Sequence, residues 1–339
     1  MMRFVPIHEW SVPVKVIDSH AHYVPQTVFD TLARGAARFD GVECLHEDGR
    51  FRLAFAGRDP TRPVNPKLRE AEERLAWMDE QGLDRQVVAP WTDSFGYELE
   101  GGTGADWNRF CNEALWRACE GEERLIPLAG VPLQNGEHAA EVLCEALDHG
   151  FRGFMIGTQP HGDSGVLDDP SLEPFWAAAH ERGAVLYVHP MYVASDPRVV
   201  DYDMVNAVGR LADTTVAVAR ILFSGHVLKY SGAKLILSHG GAALPFALGR
   251  LVRNVEAHPG QYADPAEGLS RLYVDSCVFR PDALRFLVDL MGAERVMLGS
   301  DYPFPIGDPA PRKVVDDTPL TEAQRAEILS NSTSRLLGL

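Results

Sequence analysis

Two histidines, separated by one residue, lie at the end of a short run, VIDSHAH, at residues 16–22. Side chains alternate between the two faces of a strand, so His20 and His22 point the same way if this run is a strand. Two imidazoles on one face could ligate one metal ion, and a pair of surface histidines is the alternative. Asp18 shares their face, and we expect it to orient the pair by accepting hydrogen bonds from their rings.

Three more polar residues end apolar runs further along the chain. His189 ends the run AVLYVH, His239 ends LILSH before two glycines, and Asp301 ends VMLGSD. Taken singly, each histidine could be a hydrogen-bonded core residue, and the aspartate could cap a helix or a turn. Their common position at the ends of predicted strands is what singles them out.

Together these side chains match the donor set of a divalent metal site. The predicted ligands are His20, His22, His189 and Asp301. Three imidazoles and one carboxylate suit Zn²⁺ best, with Mn²⁺ as the alternative. His239 would remain beside the ion as a general acid or base, so we assign catalytic roles to His239 and Asp301.

These residues can meet only if the elements that carry them bring the strand ends to one place. Eight short apolar runs alternate with amphipathic stretches, which is typical of the α/β class and of a (β/α)₈ barrel of the TIM type. The runs are residues 16–22, 86–91, 125–132, 151–157, 184–190, 234–241, 272–279 and 296–303. In such a barrel the carboxyl ends of all strands converge on one face. A doubly wound sheet is the weaker alternative, because no glycine-rich phosphate loop follows the first run.

The barrel prediction covers residues 1–339 as a single domain. The connection at residues 23–67 is longer than a barrel needs, and it carries the turn signal Asp48-Gly49 between apolar residues. We expect a small insertion there, in the form of a hairpin over the barrel mouth. Trp91, at the end of the second run, would line the substrate pocket, with packing at the rim as the alternative.

Composition and charge exclude several classes of partner. The chain has 32 Lys and Arg against 48 Asp and Glu, a formal net charge of −16. Nucleic acids and anionic membranes both need a basic surface, so neither is expected as a partner. No apolar run approaches the ~20 residues that span a bilayer, and the first residues lack the apolar core of a secretory signal. Five cysteines without a CxxC pair predict free thiols and a cytoplasmic location.

Two segments carry a resemblance to a known family. SHGGAALPFALGR at residues 238–250 and MLGSDYPFPIGD at residues 297–308 resemble the aminocarboxymuconate-semialdehyde decarboxylase branch of the amidohydrolase superfamily. The resemblance extends from about Val16 to the last residue. It implies a (β/α)₈ barrel, one divalent metal ion, usually zinc, and commonly a homodimer. The fourth run, FRGFMIG, has no counterpart of the lysine that bridges two metals in dinuclear members.

The resemblance also assigns individual roles. It places the metal ligands at His20, His22, His189 and Asp301, and the catalytic histidine at His239. In the decarboxylase, an arginine after the His-Gly-Gly segment enters the neighbouring subunit's site and binds a substrate carboxylate. Arg250 occupies that position, and a solvated helix charge is the alternative.

A second carboxylate-binding arginine of the decarboxylase has two candidate counterparts. Arg52 is preferred, and a competing alignment gives Arg62. The tryptophan that follows the fifth-strand His-Pro is replaced here by Met191, and the next residue, Tyr192, is also taken as substrate-binding. Related branches decarboxylate γ-resorcylate and carboxyvanillate, or hydrolyse carbon–carbon and lactone bonds.

These observations lead to one main hypothesis and two alternatives. The main hypothesis is a metal-dependent, non-oxidative decarboxylase that acts on a carboxylated aromatic or muconate-like small molecule. The first alternative is a hydrolase that uses the same metal to cleave a lactone, an amide or a carbon–carbon bond. The second is a non-catalytic barrel with a structural metal, which would have no use for the unligated His239.

Overall fold

Strands and helices alternate along the part of the chain that the computed structural model describes, residues 15–191 and 196–339. The strands of these residues are β1 (Ile17–His22), β2 (Val42–Glu47), β3 (Arg50–Phe55), β4 (Arg85–Ala89), β5 (Leu125–Pro127), β6 (Phe154–Gly157), β7 (Val185–His189), β8 (Lys234–Leu237), β9 (Tyr273–Asp275) and β10 (Val296–Met297). The α-helices are α1 (Gln26–Ala33), α2 (Ala71–Gln81), α3 (Gly101–Cys119), α4 (Gly136–His149), α5 (Glu173–Glu181), α6 (Arg210–Phe223), α7 (His226–Lys229), α8 (Leu244–Ala257), α9 (Pro265–Leu269), α10 (Pro281–Met291), α11 (Pro311–Asp317), α12 (Glu322–Ala326) and α13 (Ser332–Leu337).

Eight of these strands pair in parallel and close into a ring. β4 lies between β1 and β5 in one arc, and β6 to β10 follow one another in the second arc. Two isolated parallel bridges join the arcs, one between Ala129 and Phe154 and one between Ala21 and Tyr302. Each of the eight strands overlaps one of the apolar runs, so the predicted (β/α)₈ barrel is confirmed.

Helices cover the barrel strands, which explains why those strands are apolar on both faces. Every residue of β7 is buried. On α10, Leu284, Leu287, Val288 and Met291 are buried, and their spacing of three and four residues forms one apolar stripe.

No helix of the described residues is both long enough and apolar enough to cross a membrane. All five cysteines are free thiols, as expected.

The strands end earlier than the apolar runs predict. β8 ends at Leu237 and β10 at Met297, so His239 and Asp301 lie in loops beyond the sheet. Both residues have left-handed backbone, with φ of 56° and 58°, which residues other than glycine rarely adopt. The prediction that these two residues end strands is therefore wrong, because the apolar runs continue beyond the last residues that pair in the sheet.

The long connection at residues 23–67 contains α1 and an antiparallel hairpin of β2 and β3. Asp48 and Gly49 at the hairpin turn both have positive φ, as a two-residue turn of this kind requires. A separate buried apolar cluster holds the hairpin in place and includes Phe51 of β3 and Trp91 beside the barrel mouth. Because its apolar face is buried, the hairpin forms a fixed wall next to the mouth.

Candidate active site

Four side chains converge beyond the carboxyl ends of the barrel strands. His20 and His22 come from β1, His189 from β7, and Asp301 from the loop after β10, and one donor atom of each lies within 4.8 Å of the others. Oδ1 of Asp301 is 3.5, 3.2 and 4.0 Å from Nε2 of His20, His22 and His189. Ligands of a tetrahedral metal ion lie roughly 3.4 Å from each other, so this spacing suits one ion.

The donor atoms that face one another in this cluster have no hydrogen-bond partner among the described residues. They are Nε2 of His20, His22 and His189, and Oδ1 of Asp301. A buried polar atom without a partner costs about 1–3 kcal/mol of folding free energy. A divalent cation would satisfy all four atoms together, because neutral imidazoles and a carboxylate all donate lone pairs to it. The residues present therefore fit a divalent metal ion.

Backbone carbonyl groups orient the rings of His22 and His189. Nδ1 of His22 is 3.1 Å from the carbonyl oxygen of Pro90, and Nδ1 of His189 is 2.9 Å from that of Pro190. Each Nδ1 therefore carries the proton, and the lone pair of Nε2 faces the cluster. Burial lowers the pKa of both imidazoles, and the neighbouring histidines take that of His189 well below its ordinary value. Both rings are thus in the neutral form that a metal needs.

Asp275, at the end of β9, orients His20. Its Oδ2 lies 2.7 Å from Nδ1 of His20. Burial alone would lower the pKa of His20, but this hydrogen bond and the surrounding carboxylates raise it. The expectation that Asp18 orients the histidine pair is wrong, because Asp18 lies one inward-facing layer deeper in the barrel. Its carboxylate accepts hydrogen bonds from the backbone of His20 and from the side chains of Gln86 and Ser300.

The sequence contains a signal for the role of Asp275. Its carboxylate interrupts the apolar run at residues 272–279, for which the pattern predicts only a strand, and β9 ends at this residue. A polar residue at that place is costly to bury without a partner. Its partner, His20, lies 255 residues away in the chain, so the pairing itself appears only in the folded barrel.

His239 lies beside the cluster and contributes no atom to it. Its Nε2 is 3.5 Å from Oδ2 of Asp301, the carboxylate oxygen that turns away from the three histidines. Burial opposes ionisation of Asp301, but the close approach of His22 and His239 outweighs it and holds the pKa of Asp301 well below its ordinary value. The side chain of His239 is 13% exposed, whereas those of His20 and His22 are fully buried. His239 is therefore the histidine that a bound molecule can reach.

Arg62 of the insertion reaches the mouth of the site. Its guanidinium lies 5.2 Å from the ring centres of both Trp91 and Phe304. The ring of Phe304 in turn packs 5.1 Å from the ring of His22. Nε of Arg62 donates to Oδ2 of Asp93 at 3.0 Å, which fixes the guanidinium in this position. Arg62 is thus separated from His22 of the cluster by one aromatic side chain, Phe304.

The structure does not bring Arg52 or Arg250 to this point. Arg52, the preferred counterpart of the second arginine, donates from Nη1 to the backbone carbonyl of Thr61 at 2.9 Å. Arg250 is exposed on α8. Tyr192 lies outside the described residues.

A cavity of about 720 Å³ opens between the insertion and the barrel loops. Its lining includes Thr61 and Arg62 from the insertion, together with Thr92 and Met191 from the loops after β4 and β7. Its volume is within the range of small-molecule pockets, roughly 300–1,000 Å³. Met191 follows His189 by two residues, so one wall of the cavity belongs to the loop that leaves the cluster.

Two known proteins each align with about four fifths of the chain. A 2-amino-3-carboxymuconate-6-semialdehyde decarboxylase from Dictyostelium discoideum is 29% identical over 286 residues, covering 82% of this chain and 79% of its own length. A γ-resorcylate decarboxylase from Rhodococcus jostii is 27% identical over 291 residues, covering 78% of this chain and 87% of its own.

A solved structure gives an independent view of the fold. It is a 5-carboxyvanillate decarboxylase from Novosphingobium aromaticivorans with bound manganese, and it matches with a TM-score of 0.79 at 20% identity, over 96% of this chain and 98% of the other. A model of the amidohydrolase family matches residues 17–339, a span that contains the whole cluster and His239. The chain therefore belongs to the amidohydrolase family.

Proposed function

We propose that this protein is a metal-dependent, non-oxidative decarboxylase of a small carboxylated aromatic or muconate-like acid. The observation that carries the proposal is the set of four buried, unpartnered donor atoms with the reachable His239 beside them. Support also comes from the relatives, because two proteins that align with about four fifths of the chain are named as decarboxylases. A role in the catabolism of aromatic compounds follows from that substrate class.

The four cluster residues would hold one divalent metal ion. Those residues are His20, His22, His189 and Asp301. Zn²⁺ is our first choice and Mn²⁺ the alternative, because a set of three imidazoles and one carboxylate suits both ions. When bound, such an ion supplies Lewis acidity that polarises a coordinated oxygen and lowers the pKa of a water molecule.

His239 would deliver the proton that the reaction consumes. In decarboxylation the bond between a carbon atom and its carboxylate group breaks, CO₂ leaves, and the electron pair stays on the carbon. That carbon then takes one proton, and Nε2 of His239 is the reachable nitrogen beside the cluster. Oδ2 of Asp301, 3.5 Å away, would keep the ring aimed at the substrate.

Arg62 would bind a carboxylate of the substrate in the cavity beside the cluster. A guanidinium presents paired N–H groups that match the two oxygens of a carboxylate. Its guanidinium contacts the rings of Trp91 and Phe304 and is hydrogen-bonded to Asp93. The geometry therefore favours Arg62 over Arg52 as the second carboxylate-binding arginine.

We further propose that the protein is a cytoplasmic homodimer. On α8, Phe246 is 88% exposed and Arg250 follows it one helical turn later. An exposed aromatic ring beside a cation is typical of a surface that a partner covers. A second copy of the chain would bury Phe246 and bring Arg250 towards the neighbouring site. The five free thiols fit the reducing cytoplasm.

The test is to supply the purified, metal-loaded protein with a panel of hydroxybenzoic and carboxymuconic acids and to measure released CO₂. Loading is done separately with Zn²⁺ and Mn²⁺. We expect CO₂ from at least one acid, and release about 10²- to 10⁴-fold slower from His239→Asn protein that retains its metal. If no acid gives CO₂, and lactones or amides are turned over with ¹⁸O incorporated from water, the hydrolase hypothesis replaces the decarboxylase hypothesis.

A further inference from the structure

One buried carboxylate connects the proposed metal ligand His20 with the proposed proton donor His239. Oδ2 of Asp275 lies 2.7 Å from Nδ1 of His20 and accepts the backbone N–H of His239 at 3.0 Å. Oδ1 of the same side chain accepts the backbone N–H of Gly240 at 2.8 Å. Asp275 thus contacts a side chain of the metal cluster and the backbone that carries the acid/base residue.

All the hydrogen-bonding capacity of this carboxylate is directed to fixed neighbours. The hydroxyl group of Tyr187 donates to Oδ2 at 3.0 Å, and the backbone N–H of Cys277 donates to Oδ1 at 3.1 Å. Asp275 is completely buried. A carboxylate held by this many donors has little freedom to move, so it can define the positions of the groups bound to it.

The backbone at His239 needs such an anchor. His239 and Gly240 have φ of 56° and 64°, two consecutive residues in the left-handed region. For a histidine this conformation costs free energy and persists only when the surroundings fix it. The consecutive N–H groups of the two residues meet the two oxygens of Asp275, and this pairing holds the turn that aims the ring of His239 at Asp301.

We propose that Asp275 is a shared positioning residue for metal binding and for proton delivery. Through His20 it keeps the Nε2 lone pair directed at the ion, and through the backbone of His239 it sets where the imidazole lies relative to that ion. The inference rests on the proposed function, because it takes His20 as a ligand and His239 as the proton donor. It adds that one side chain, which touches neither metal nor substrate, governs both.

The first test measures Zn²⁺ affinity by competition with a chromophoric chelator, and needs no substrate. We expect Asp275→Asn to weaken Zn²⁺ binding about 10- to 100-fold, as loss of a partner behind a metal-bound histidine does. Tyr187→Phe is the matched control, because it removes one hydrogen bond to the same carboxylate and leaves His20 and His239 in place. Its Zn²⁺ affinity is expected to equal that of the wild type within error.

The second test separates positioning of His239 from a general effect on the fold. At saturating Zn²⁺, Asp275→Asn is expected to lower kcat and leave KM unchanged. In a His239→Asn background the same substitution is expected to lower kcat no further, because the group that it positions is gone. An equal loss of kcat in both backgrounds would overturn the link to His239.

The remaining outcomes distinguish this inference from the proposed function. Unchanged Zn²⁺ affinity in Asp275→Asn, with weakened affinity in His20→Ala, would overturn the inference and leave the metal site intact. Unchanged affinity in both variants would overturn the metal site itself. If Asp275→Asn does not fold, Asp275→Glu keeps the charge and displaces the carboxylate by one methylene group. A positioning role predicts that both affinity and kcat fall in that variant, and wild-type values would overturn it.

Discussion

Oδ2 of Asp301 lies 3.5 Å from Nε2 of His239, while Oδ1 of the same carboxylate faces the histidines of the cluster. Asp301 therefore contacts both the histidines of the proposed metal site and His239, the proposed acid/base residue. One oxygen of Asp301 contacts the histidines of the cluster and the other contacts His239, which gives no atom to the cluster. A mutation of His239 should therefore affect proton transfer without affecting metal binding.

Replacing His239 should greatly slow turnover and leave metal binding intact. General acid catalysis is worth about 10²- to 10⁴-fold in rate, so we expect His239→Asn to lower kcat by that amount. Metal content, measured by plasma mass spectrometry, should match the wild type. His258→Asn, at an exposed position after α8, is the control and should retain full activity. Loss of metal together with activity would place His239 among the ligands.

Removing the metal should destabilise the protein. Without an ion, four buried donor atoms face one another unsatisfied. An ion present at 100 times its dissociation constant contributes about 2.7 kcal/mol to the free energy of unfolding. We expect a chelator to lower the Tm of the wild type in scanning calorimetry. His189→Ala protein should show a much smaller chelator-dependent shift, and an equal shift in the two proteins would argue against this site.

Stability of the metal-free protein should carry a pH dependence from Asp18. Burial raises the pKa of Asp18 from 3.8 to about 6, although Ser300 and Gln86 donate to it. Between these values the folded chain holds a proton that the unfolded chain releases, so the contribution of Asp18 to the free energy of unfolding falls as pH rises. We expect the free energy of unfolding of the wild type, measured in urea relative to Asp18→Asn, to decline by about 2 kcal/mol from pH 4 to pH 6. A difference that is constant or increases over this range would contradict the raised pKa.

The two early arginines should behave differently towards substrate. Arg62 lies over Trp91 and Phe304 beside the cluster, whereas Arg52 is bonded to the carbonyl group of Thr61. Loss of a charged hydrogen-bond pair costs about 1.5–3 kcal/mol, so Arg62→Ala should lower kcat/KM roughly 10- to 100-fold, mainly through KM. Arg52→Ala is the matched control and should change it far less. The reverse ranking would restore Arg52 as the carboxylate-binding residue.

Mixed dimers should reveal whether Arg250 acts on the neighbouring subunit. Arg250→Ala and His239→Asn proteins are each expected to be inactive alone. If each site uses its own His239 and the partner's Arg250, a mixed dimer contains one intact site. Random reassociation of equal amounts should then restore about a quarter of wild-type activity. No recovery, with mixed dimers present on native gels, would mean that Arg250 does not cross the interface.

The fold and most of the cluster follow from local sequence pattern. An apolar run of strand length that alternates with an amphipathic helix depends only on near neighbours, and so the barrel strands could be located. The face shared by His20 and His22 follows from the two-residue repeat of a strand, and the structure places both rings in the cluster.

Hydrogen-bond partners that depend on strand register or on the path of a loop could not be predicted from local sequence pattern. Asp18 is predicted to face the same side of the strand as the two histidines, but it lies one layer deeper and accepts a hydrogen bond from the backbone of His20, not from its ring. Asp275, from a distant strand, orients the ring of His20 in its place. The apolar runs predict that His239 and Asp301 end strands. Both residues instead have left-handed backbone and lie beyond the sheet. The choice between Arg52 and Arg62 depends on how the insertion packs, which no local pattern encodes.

The parallel bridge between Ala21 and Tyr302 joins the first barrel strand to the chain that follows the last one. The cluster spans this seam, with His20 and His22 on one side and Asp301 on the other. On a translating ribosome, the nascent chain would present its imidazoles long before the carboxylate is synthesised. Capture of the ion therefore belongs to the final stage of maturation, after the chain has been released far enough for the ring to close.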